Sequence, residues 1–403
     1  MSAYAASVRD AARRLDVGQG AAVAGVGLGL LAFLVTLPPI TARSVGIPVV
    51  LGFLALALAI AAAARGERKL AAYAAAAGIL GAGAGVWVQG VDRDTLEAIF
   101  TAGLLAATLR LATPLAFAAM GGLLSERSGV VNIGLEGMML FGAFFGIWGA
   151  IWSGTWVVGV LMAMVFGGLL ALIHAFFCIH LRADQIVSGF AVNLLALGVT
   201  GFLFTRIYPD GLPQRISKVP NVDLGFLGSI PLVGDFLEGV FGNLNLLVWV
   251  MLAIVVLTYV VLFKTPLGLR VRAVGEHPRA ADTVGISVYG VRYLAVVTSG
   301  VLAALGGAAL SLVLGNFAEN MTNGRGYIAL AAVIFGKWRP GWVFVATLLF
   351  GFGFALSIPL AREADVSTNL METLPYVLTL IAVAGLIGRS IPPAADGQPY
   401  IKQ

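Results

Sequence analysis

Residues 264–292 read KTPLGLRVRAVGEHPRAADTVGISVYGVR, and they are unusually polar for this chain. An apolar run, residues 243–263, ends just before this stretch, and another, residues 293–315, begins just after it. Apolar runs of about 20 residues are typical of transmembrane helices. The sequence therefore predicts that residues 264–292, called the coupling segment below, form a basic loop between two membrane spans.

The middle of the coupling segment is patterned like a short helix. Pro278 is placed to begin the helix and Gly285 to end it. The predicted helix has an apolar and a polar side, formed respectively by Ala280, Val284 and Ile286 and by Arg279, Asp282 and Thr283. Such a loop is either a docking surface for a soluble partner or a solvated loop that only fixes orientation. The pattern alone leaves both interpretations open.

The composition of the whole chain assigns it to the membrane. Of its 403 residues, 59% are hydrophobic and 11% are charged, and the mean hydropathy is +0.96. A soluble domain has about a quarter charged residues, so the chain is predicted to be an all-α polytopic membrane protein. The net charge of +5 does not indicate nucleic acid binding, because the basic residues fall in short loops. Cys178 is alone and the scattered histidines make no metal-ligand pattern.

Apolar runs predict about 10–12 transmembrane helices. Their expected positions are 20–37, 47–64, 70–90, 96–120, 134–152, 155–179, 184–206, 243–263, 293–315, 327–338, 341–360 and 370–388. The segment 327–338 is too short to span and is predicted to be a half-helix. Basic residues concentrate in the loops on the side of the coupling segment, which predicts that both termini are cytoplasmic.

The order of the predicted spans suggests an inverted repeat. Four spans from residue 96 and four from residue 293 run in opposite directions, and each set has a polar break after its first helix. The two breaks are residues 125–132 and 317–326. Inverted repeats with broken helices are common in transporters, where the pathway lies at the repeat interface. Chance similarity of two loops is the alternative.

The first polar break concentrates ionisable and amide side chains in an apolar region, namely Glu126, Arg127, Asn132 and Glu136. Ionisable groups at membrane depth are costly and usually face a cavity or a partner. Asn132 and Glu136 are four residues apart, so on a helix they share a face. They are predicted either to line a pathway for a polar solute or to brace the helix bundle.

The predicted outer loop, residues 207–242, is rich in proline and glycine. Its length is unusual for a simple connection. It is either a docking site for a solute-binding protein or a passive connection.

Several strings in the chain resemble those of one transporter family. Residues 265–286 resemble the cytoplasmic coupling loop of ABC importer permeases of the ribose and branched-chain amino acid type. Residues 125–139, SERSGVVNIGLEGMM, resemble permeases of bacterial nucleoside importers, and residues 182–198 and 324–340 agree with them. The match extends over about residues 100–390, whereas shorter family members lack part of residues 1–95.

The resemblance and the residue patterns together give two groups of candidate functional residues. Candidates for coupling to an ATPase are Gly268, Arg270, Arg272, Gly275, Pro278, Ala280, Ala281 and Gly285. Candidates for the translocation path are Asn132, Glu136, Phe144, Asn193, Glu319 and Asn320. The expected organisation is a cytoplasmic tail (1–19), an added helix pair (20–64), a permease core (65–390) and a second cytoplasmic tail (391–403), in a bacterial plasma membrane.

The resemblance also implies partners. These are an ABC ATP-binding subunit, a second permease subunit (identical or different), an extracytoplasmic solute-binding lipoprotein and the lipid membrane. The chain has no Gly-x-x-x-x-Gly-Lys-Ser/Thr string, so we expect ATP to be bound by the partner and no cofactor here. Neither does the sequence show a nucleophile–base pattern of an enzyme. Alternatives are a permease for a simple sugar or branched-chain amino acid, or an ion-coupled carrier using Glu136.

Overall fold

The computed structural model describes residues 17–18, 20–29, 31–32, 46–90, 101–231, 233–363, 373 and 390–402. These residues are largely α-helical, which confirms the predicted fold class. The helices are α1 Gly46–Ala64, α2 Arg68–Gly90, α3 Ala102–Arg127, α4 Leu135–Ser153, α5 Trp156–Ala175, α6 Gln185–Ile207, α7 Gly234–Phe241, α8 Leu246–Lys264, α9 Pro266–Glu276, α10 Pro278–Thr283, α11 Val288–Leu314, α12 Arg325–Phe335 and α13 Pro340–Glu363. A π-helical turn, Phe176–His180, extends α5.

Eight helices among the described residues are long and apolar enough to cross a membrane. They are Ile47–Ala64, Ala102–Arg127, Leu135–Ser153, Trp156–His180, Gln185–Ile207, Leu246–Lys264, Val288–Leu314 and Pro340–Ala361. Each corresponds to a predicted span. α12 has 11 residues, as expected for a half-helix. The predicted span 370–388 and parts of 20–37 and 96–120 lie outside the described residues.

Two of the predicted boundaries are wrong by several residues. α3 continues to Arg127 instead of ending at 120, because Gly121 and Gly122 are used for close helix packing and do not break the helix. A Cβ atom at Gly121 would meet the carbonyl of Ser299 in α11. α11 begins at Val288 instead of 293, since the Ser287 side chain caps it by accepting from Gly290 N–H.

The chain divides into two compact units, residues 1–104 with 356–388, and residues 105–355 with 389–403. In the first unit, α1 and α2 pack closely through small residues. A Cβ atom at Gly52 would meet Ala82, and one at Gly78 would meet the Gly52 carbonyl. Large apolar side chains such as Phe53 and Ile60 are exposed on α1, as expected of a lipid-facing helix surface.

The core of the second unit is built by α4, α5 and α11. Small residues allow these helices to approach closely. A side chain at Gly142 or Gly167 would overlap Ala304 of α11, and one at Gly307 would overlap the carbonyl of Met139 in α4. This packing fixes the positions of both polar breaks, which lie beside α4 and α11.

A helix, a break and a second helix occur in both halves of this unit. The first break follows α3 and contains Gly129 at φ +86°, and α4 begins at Leu135. The second break follows α11 with Gly315 at φ +67°, and α12 begins after Gly324 at φ +80°. These positive φ values favour glycine. The inverted relation between the halves stays a prediction.

The outer loop has a defined structure. Strands β1 (Asn221–Asp223) and β2 (Asn243–Asn245) pair antiparallel, and a 3-10 turn (Gly225–Ser229) and α7 lie between them. Phe226 and Phe236 are 67% and 53% exposed. The loop therefore presents aromatic side chains at its surface, whereas its suggested contact with a binding protein stays a prediction.

Candidate coupling surface and membrane pathway

The coupling segment folds into two short helices, α9 and α10. Each begins with a proline at its first turn, and Thr265 caps α9 by accepting from Gly268 N–H at 3.2 Å. α10 ends before Gly285, which has φ +82°. The predicted start and end of α10 are therefore correct, whereas the sequence reasoning missed α9.

The single turn of α10 has one buried residue and exposed neighbours. Ala281 is only 3% exposed and packs into the core, whereas Ala280 is exposed and Val284 is 73% exposed. Ala280 and Val284, which the sequence puts together on the apolar side of the helix, are thus both at the surface, and α10 packs on its own protein through Ala281. Ala280, Val284 and Gly285 form an exposed surface suited to a partner.

Two of the coupling candidates are packing residues. A Cβ atom at Gly268 would overlap the backbone of α8, and one at Gly275 would overlap the carbonyl of Arg127 at the end of α3. Both glycines are buried. They allow α9 to lie directly on the membrane helices, and they are not part of the exposed surface.

The arginines of α9 have different surroundings. Arg270 is exposed. The Arg272 guanidinium lies 5.0 Å from the centre of the Phe263 ring, where a cation–π interaction holds it against α8. Arg270 is thus free to contact a partner, whereas Arg272 also attaches α9 to its own protein.

Arg127 connects α9 with the chain that follows α12. Its Nε and Nη2 atoms donate to the carbonyl of Trp338 at 3.0 and 2.8 Å, and its Nη1 lies 3.9 Å from the Glu276 carboxylate. The Trp338 indole N–H donates to the buried Glu126. This cluster, called the arginine junction below, joins the coupling segment to the first polar break and to the chain just after α12.

Asn132 is fully buried, but it does not lie on a helix with Glu136. α4 begins only at Leu135, so the predicted shared helical face is wrong. The Asn132 amide donates to Ser299 of α11 at 2.9 Å, and its Oδ1 has no hydrogen-bond partner among the described residues.

Glu136 binds the start of α12. Its two carboxylate oxygens accept from the N–H groups of Gly324 and Gly326 at 2.8 and 2.6 Å. Free N–H groups and the dipole at a helix start favour a negative charge. The carboxylate is 8% exposed, so this geometry favours the bracing interpretation over the pathway one.

Asn193 of α6 connects three elements. Its Oδ1 accepts from Gly137 N–H at 2.8 Å, and its amide donates to the Ile133 carbonyl at 3.0 Å and to the Tyr327 hydroxyl at 2.9 Å. Both amide hydrogens and the oxygen of this side chain are thus hydrogen-bonded within the protein. Asn193 and Glu136 therefore hold α12 between α4 and α6.

Phe144 is 1% exposed and belongs to an aromatic cluster. Its ring lies 5.3 Å from that of Phe317 in the second break, and Phe317 lies 5.1 Å from Phe204 of α6. Glu319 and Asn320 of the same break are exposed. Their predicted role in the path stays a prediction.

Together these residues form a buried polar network across α4, α6, α11 and α12. Sequence reasoning missed Ser299 and the role of Trp338, since nothing local marks a serine or tryptophan as the partner of a distant residue. The described residues hold no group of His, Cys, Asp or Glu suited to a metal ion. The arrangement can hold two broken helices together and transmit movement between them and the coupling segment.

Comparison with known proteins identifies relatives over most of the chain. Residues 104–383 match the family described as branched-chain amino acid transport system / permease component. No solved structure matches the chain.

The chain matches three curated relatives over nearly the whole of their length. The guanosine ABC transporter permease protein NupQ of Bacillus subtilis is 43% identical over 74% of this chain and 96% of its own. The nucleoside ABC transporter permease protein NupC of Lactococcus lactis is 38% identical over the same shares, 74% and 96%. The putative glucose ABC transporter permease protein TsgC13 of Haloferax volcanii is 36% identical over 72% and 93%.

Proposed function

The chain belongs to the family of branched-chain amino acid transport system permease components, and from that premise we propose that it carries nucleosides across the membrane. It is a multi-pass protein of the bacterial plasma membrane and the permease component of an ABC importer. It is a transport component and not an enzyme, because ATP hydrolysis belongs to a separate subunit in this family.

The assignment to nucleosides rests mainly on two relatives. The proteins named for guanosine and nucleosides are 43% and 38% identical to this chain. The string of the first polar break, which resembles nucleoside permeases, supports the same substrate class. The relative named for glucose is 36% identical and favours a simple sugar as the second candidate.

The exposed surface of the coupling segment supports contact with the ATPase. Arg270 of α9, Ala280 of α10 and Val284 just after α10 are exposed, and the buried Gly268 and Gly275 hold α9 against the membrane helices. An ATP-binding subunit that binds this surface pushes on α9. The arginine junction passes the movement to the first polar break and to the end of α12, whose start lies in the second break. This chain then needs no cofactor of its own.

The remaining partners follow from the same family. An extracytoplasmic solute-binding lipoprotein delivers the nucleoside at the outer face, where the loop 207–242 exposes Phe226 and Phe236. A second permease subunit, identical or different, completes the path. Asn132, Glu136, Asn193 and Phe144 brace or line this chain's side of the path.

Uptake into proteoliposomes tests the proposal. The purified importer is reconstituted with its ATPase and binding protein, ATP is enclosed on the ATPase side, and labelled guanosine and glucose are offered separately. We expect ATP-dependent guanosine uptake that a protonophore leaves unchanged. Uptake of glucose alone would establish the sugar alternative, and uptake that needs a proton gradient without ATP would establish the ion-coupled carrier.

A further inference from the structure

The C-terminal segment, residues 390–402, is packed against the coupling segment. Ala395 N–H donates to the carbonyl of Gly275 at 2.9 Å, and Ala394 N–H donates to the carboxylate of Glu276 at 3.1 Å. Both acceptors lie at the end of α9. The expected free tail is therefore attached at the point where α9 meets the arginine junction.

The far end of the C-terminal segment is attached to α11. Tyr400 is 6% exposed, and its ring lies 5.6 Å from that of Tyr289 at an angle of 62°. Edge-to-face aromatic pairs of this kind stabilise contacts beyond their buried area. The next residue, Ile401, is 54% exposed. A single side chain therefore anchors this end.

Between these two attachments the segment covers a buried charge. Arg292 of α11 is 1% exposed, and its Nη1 donates to the carbonyl of Gln398 at 2.9 Å. Its Nε and Nη2 have no hydrogen-bond partner among the described residues. A buried charge is costly without an opposite charge, and the acidic side chain of Asp396 in the segment interacts electrostatically with Arg292.

Asp396 is itself held in a poorly solvated place. Burial raises its pKa from the ordinary value to about 7, while the Arg292 guanidinium and the Gly397 N–H counteract the rise. A carboxyl group in a freely solvated tail would keep its ordinary pKa. The segment is thus seated in the protein surface and not merely laid across it.

The segment also touches the first polar break. Gly129 has φ +86°, and a Cβ atom there would lie 3.0 Å from the Ala395 carbonyl and 2.8 Å from Arg292 Nη2. The backbones of the first polar break and of the C-terminal segment are therefore in direct contact, with no room for a side chain at Gly129. Three parts of the second unit meet under residues 394–398, namely the break, the end of α9 and the start of α11.

We propose that residues 390–402 are a positioning element of the coupling apparatus, holding the end of α9 against the first polar break and α11. Movement of α9 then reaches the membrane helices instead of being lost as bending of the coupling segment. The inference rests on the proposed function, in which an ATPase moves α9 and α10.

Amide hydrogen exchange of the full-length subunit alone tests the attachment. In Tyr400→Ala, we expect the amides of α9 and α10 to exchange at least about tenfold faster, because a buried aromatic anchor is lost. The matched control Ile401→Ala removes a neighbouring exposed side chain and should leave exchange unchanged. A chain ending at residue 389 should show the same acceleration if Tyr400→Ala is poorly produced. Equal exchange in all of these chains would overturn the proposal.

Transport per ATP hydrolysed, measured in the assembled importer, tests the role in coupling. We expect the ratio to fall several-fold in Tyr400→Ala, while the amount of bound ATPase and the ratio in Ile401→Ala stay at the unmodified level. Faster exchange with an unchanged ratio would overturn the coupling role and leave a purely structural contact. Failure of the unmodified importer to carry nucleosides would count against the proposed substrate only, because the exchange comparison needs neither partner nor solute.

Discussion

At the residue scale, Glu136 joins two helices that are far apart in sequence. It lies in the first turn of α4, and both of its oxygens accept from N–H groups at the start of α12. Charge-assisted hydrogen bonds of this kind are about twice as strong as neutral ones. The carboxylate therefore fixes the position of the half-helix, which otherwise has few polar contacts to α4.

We expect both Glu136→Gln and Glu136→Ala to lower the thermal unfolding temperature of the purified subunit and its transport rate. Glutamine keeps one acceptor but turns an N–H donor toward a backbone N–H, and alanine leaves two buried donors unpaired, at about 1–3 kcal/mol each. Glu319→Ala, which changes an exposed carboxylate of the second break, is the control for the unfolding temperature. Unchanged unfolding and uptake in Glu136→Ala would contradict the bracing role.

Ala280 and Ala281 provide a test of the coupling surface, because one is exposed and its neighbour is 3% exposed. Ala280→Trp should leave the unfolding temperature of the isolated subunit unchanged and abolish most solute-dependent ATP hydrolysis in the complex. Ala281→Trp should destabilise the subunit itself, by about 1–3 kcal/mol. Solute-dependent ATP hydrolysis at the unmodified rate in Ala280→Trp would show that the ATPase docks elsewhere.

The same residues show where sequence reasoning succeeds and where it fails. The string of the coupling segment correctly predicts a short helix that begins at Pro278 and stops before Gly285. It does not predict which alanine is buried, because a helix of one turn has no full period from which to read a face. The sequence suggests that Asn132 and Glu136 share a helical face, yet α4 begins only at Leu135, after its N-cap residue Gly134.

At the scale of the elements, α9 is held against α3 by a close backbone contact. Gly275 is buried, and a Cβ atom there would overlap the Arg127 carbonyl. The Arg127 carbonyl belongs to the backbone and cannot move away as a flexible side chain can. A side chain at position 275 would therefore push α9 away from the arginine junction.

Gly275→Ala is therefore expected to reduce transport per ATP hydrolysed and to destabilise the subunit by about 1–3 kcal/mol. Gly341→Ala is the matched control, since a Cβ atom at Gly341 of α13 has nothing within 4 Å. Both readouts can be taken from one preparation, by denaturant or thermal unfolding in detergent and by the reconstituted assay. If the Gly275→Ala and Gly341→Ala subunits have the same stability and the same transport per ATP hydrolysed, α9 does not depend on close contact at Gly275.

Hydropathy predicts that a helix crosses the membrane, but it does not predict the residue at which the helix begins or ends. Apolar runs locate the eight spans among the described residues, because crossing a membrane requires about 20 apolar residues. They do not locate the end of α3 or the start of α11. α3 continues through Glu126 and Arg127, and α11 begins before Arg292. These charged side chains form hydrogen bonds in the folded protein, so they do not end the helices.

At the scale of the second compact unit, the coupling segment and both polar breaks form one connected structure. Arg127 contacts Glu276 of α9 and the Trp338 carbonyl beyond α12, while Glu136 and Asn193 hold the other end of α12. A half-helix fastened at both ends moves as a body with its neighbours. The sequence predicts the breaks, but only the fold shows that a single half-helix connects them to the coupling segment.

The last prediction concerns the affinity of this subunit for its solute. The polar candidates of the path are occupied within the protein, since Glu136 bonds α12, Asn193 makes three hydrogen bonds, and Phe144 is 1% exposed. A tight base site stacks the ring on accessible aromatic faces and pairs its polar edge. We therefore expect the detergent-purified subunit alone to bind guanosine weakly or not detectably by calorimetry.

The measurement uses guanosine, adenosine and uridine against the unmodified subunit, with Phe144→Ala as the comparison. A Kd in the low micromolar range, about −8 kcal/mol, would contradict the prediction and make this chain a selectivity element. Loss of such binding in Phe144→Ala would then place the site at the aromatic cluster. Weak binding in every case agrees with a path that releases its solute, because a permease that held guanosine tightly would slow the step that delivers it to the cytoplasm.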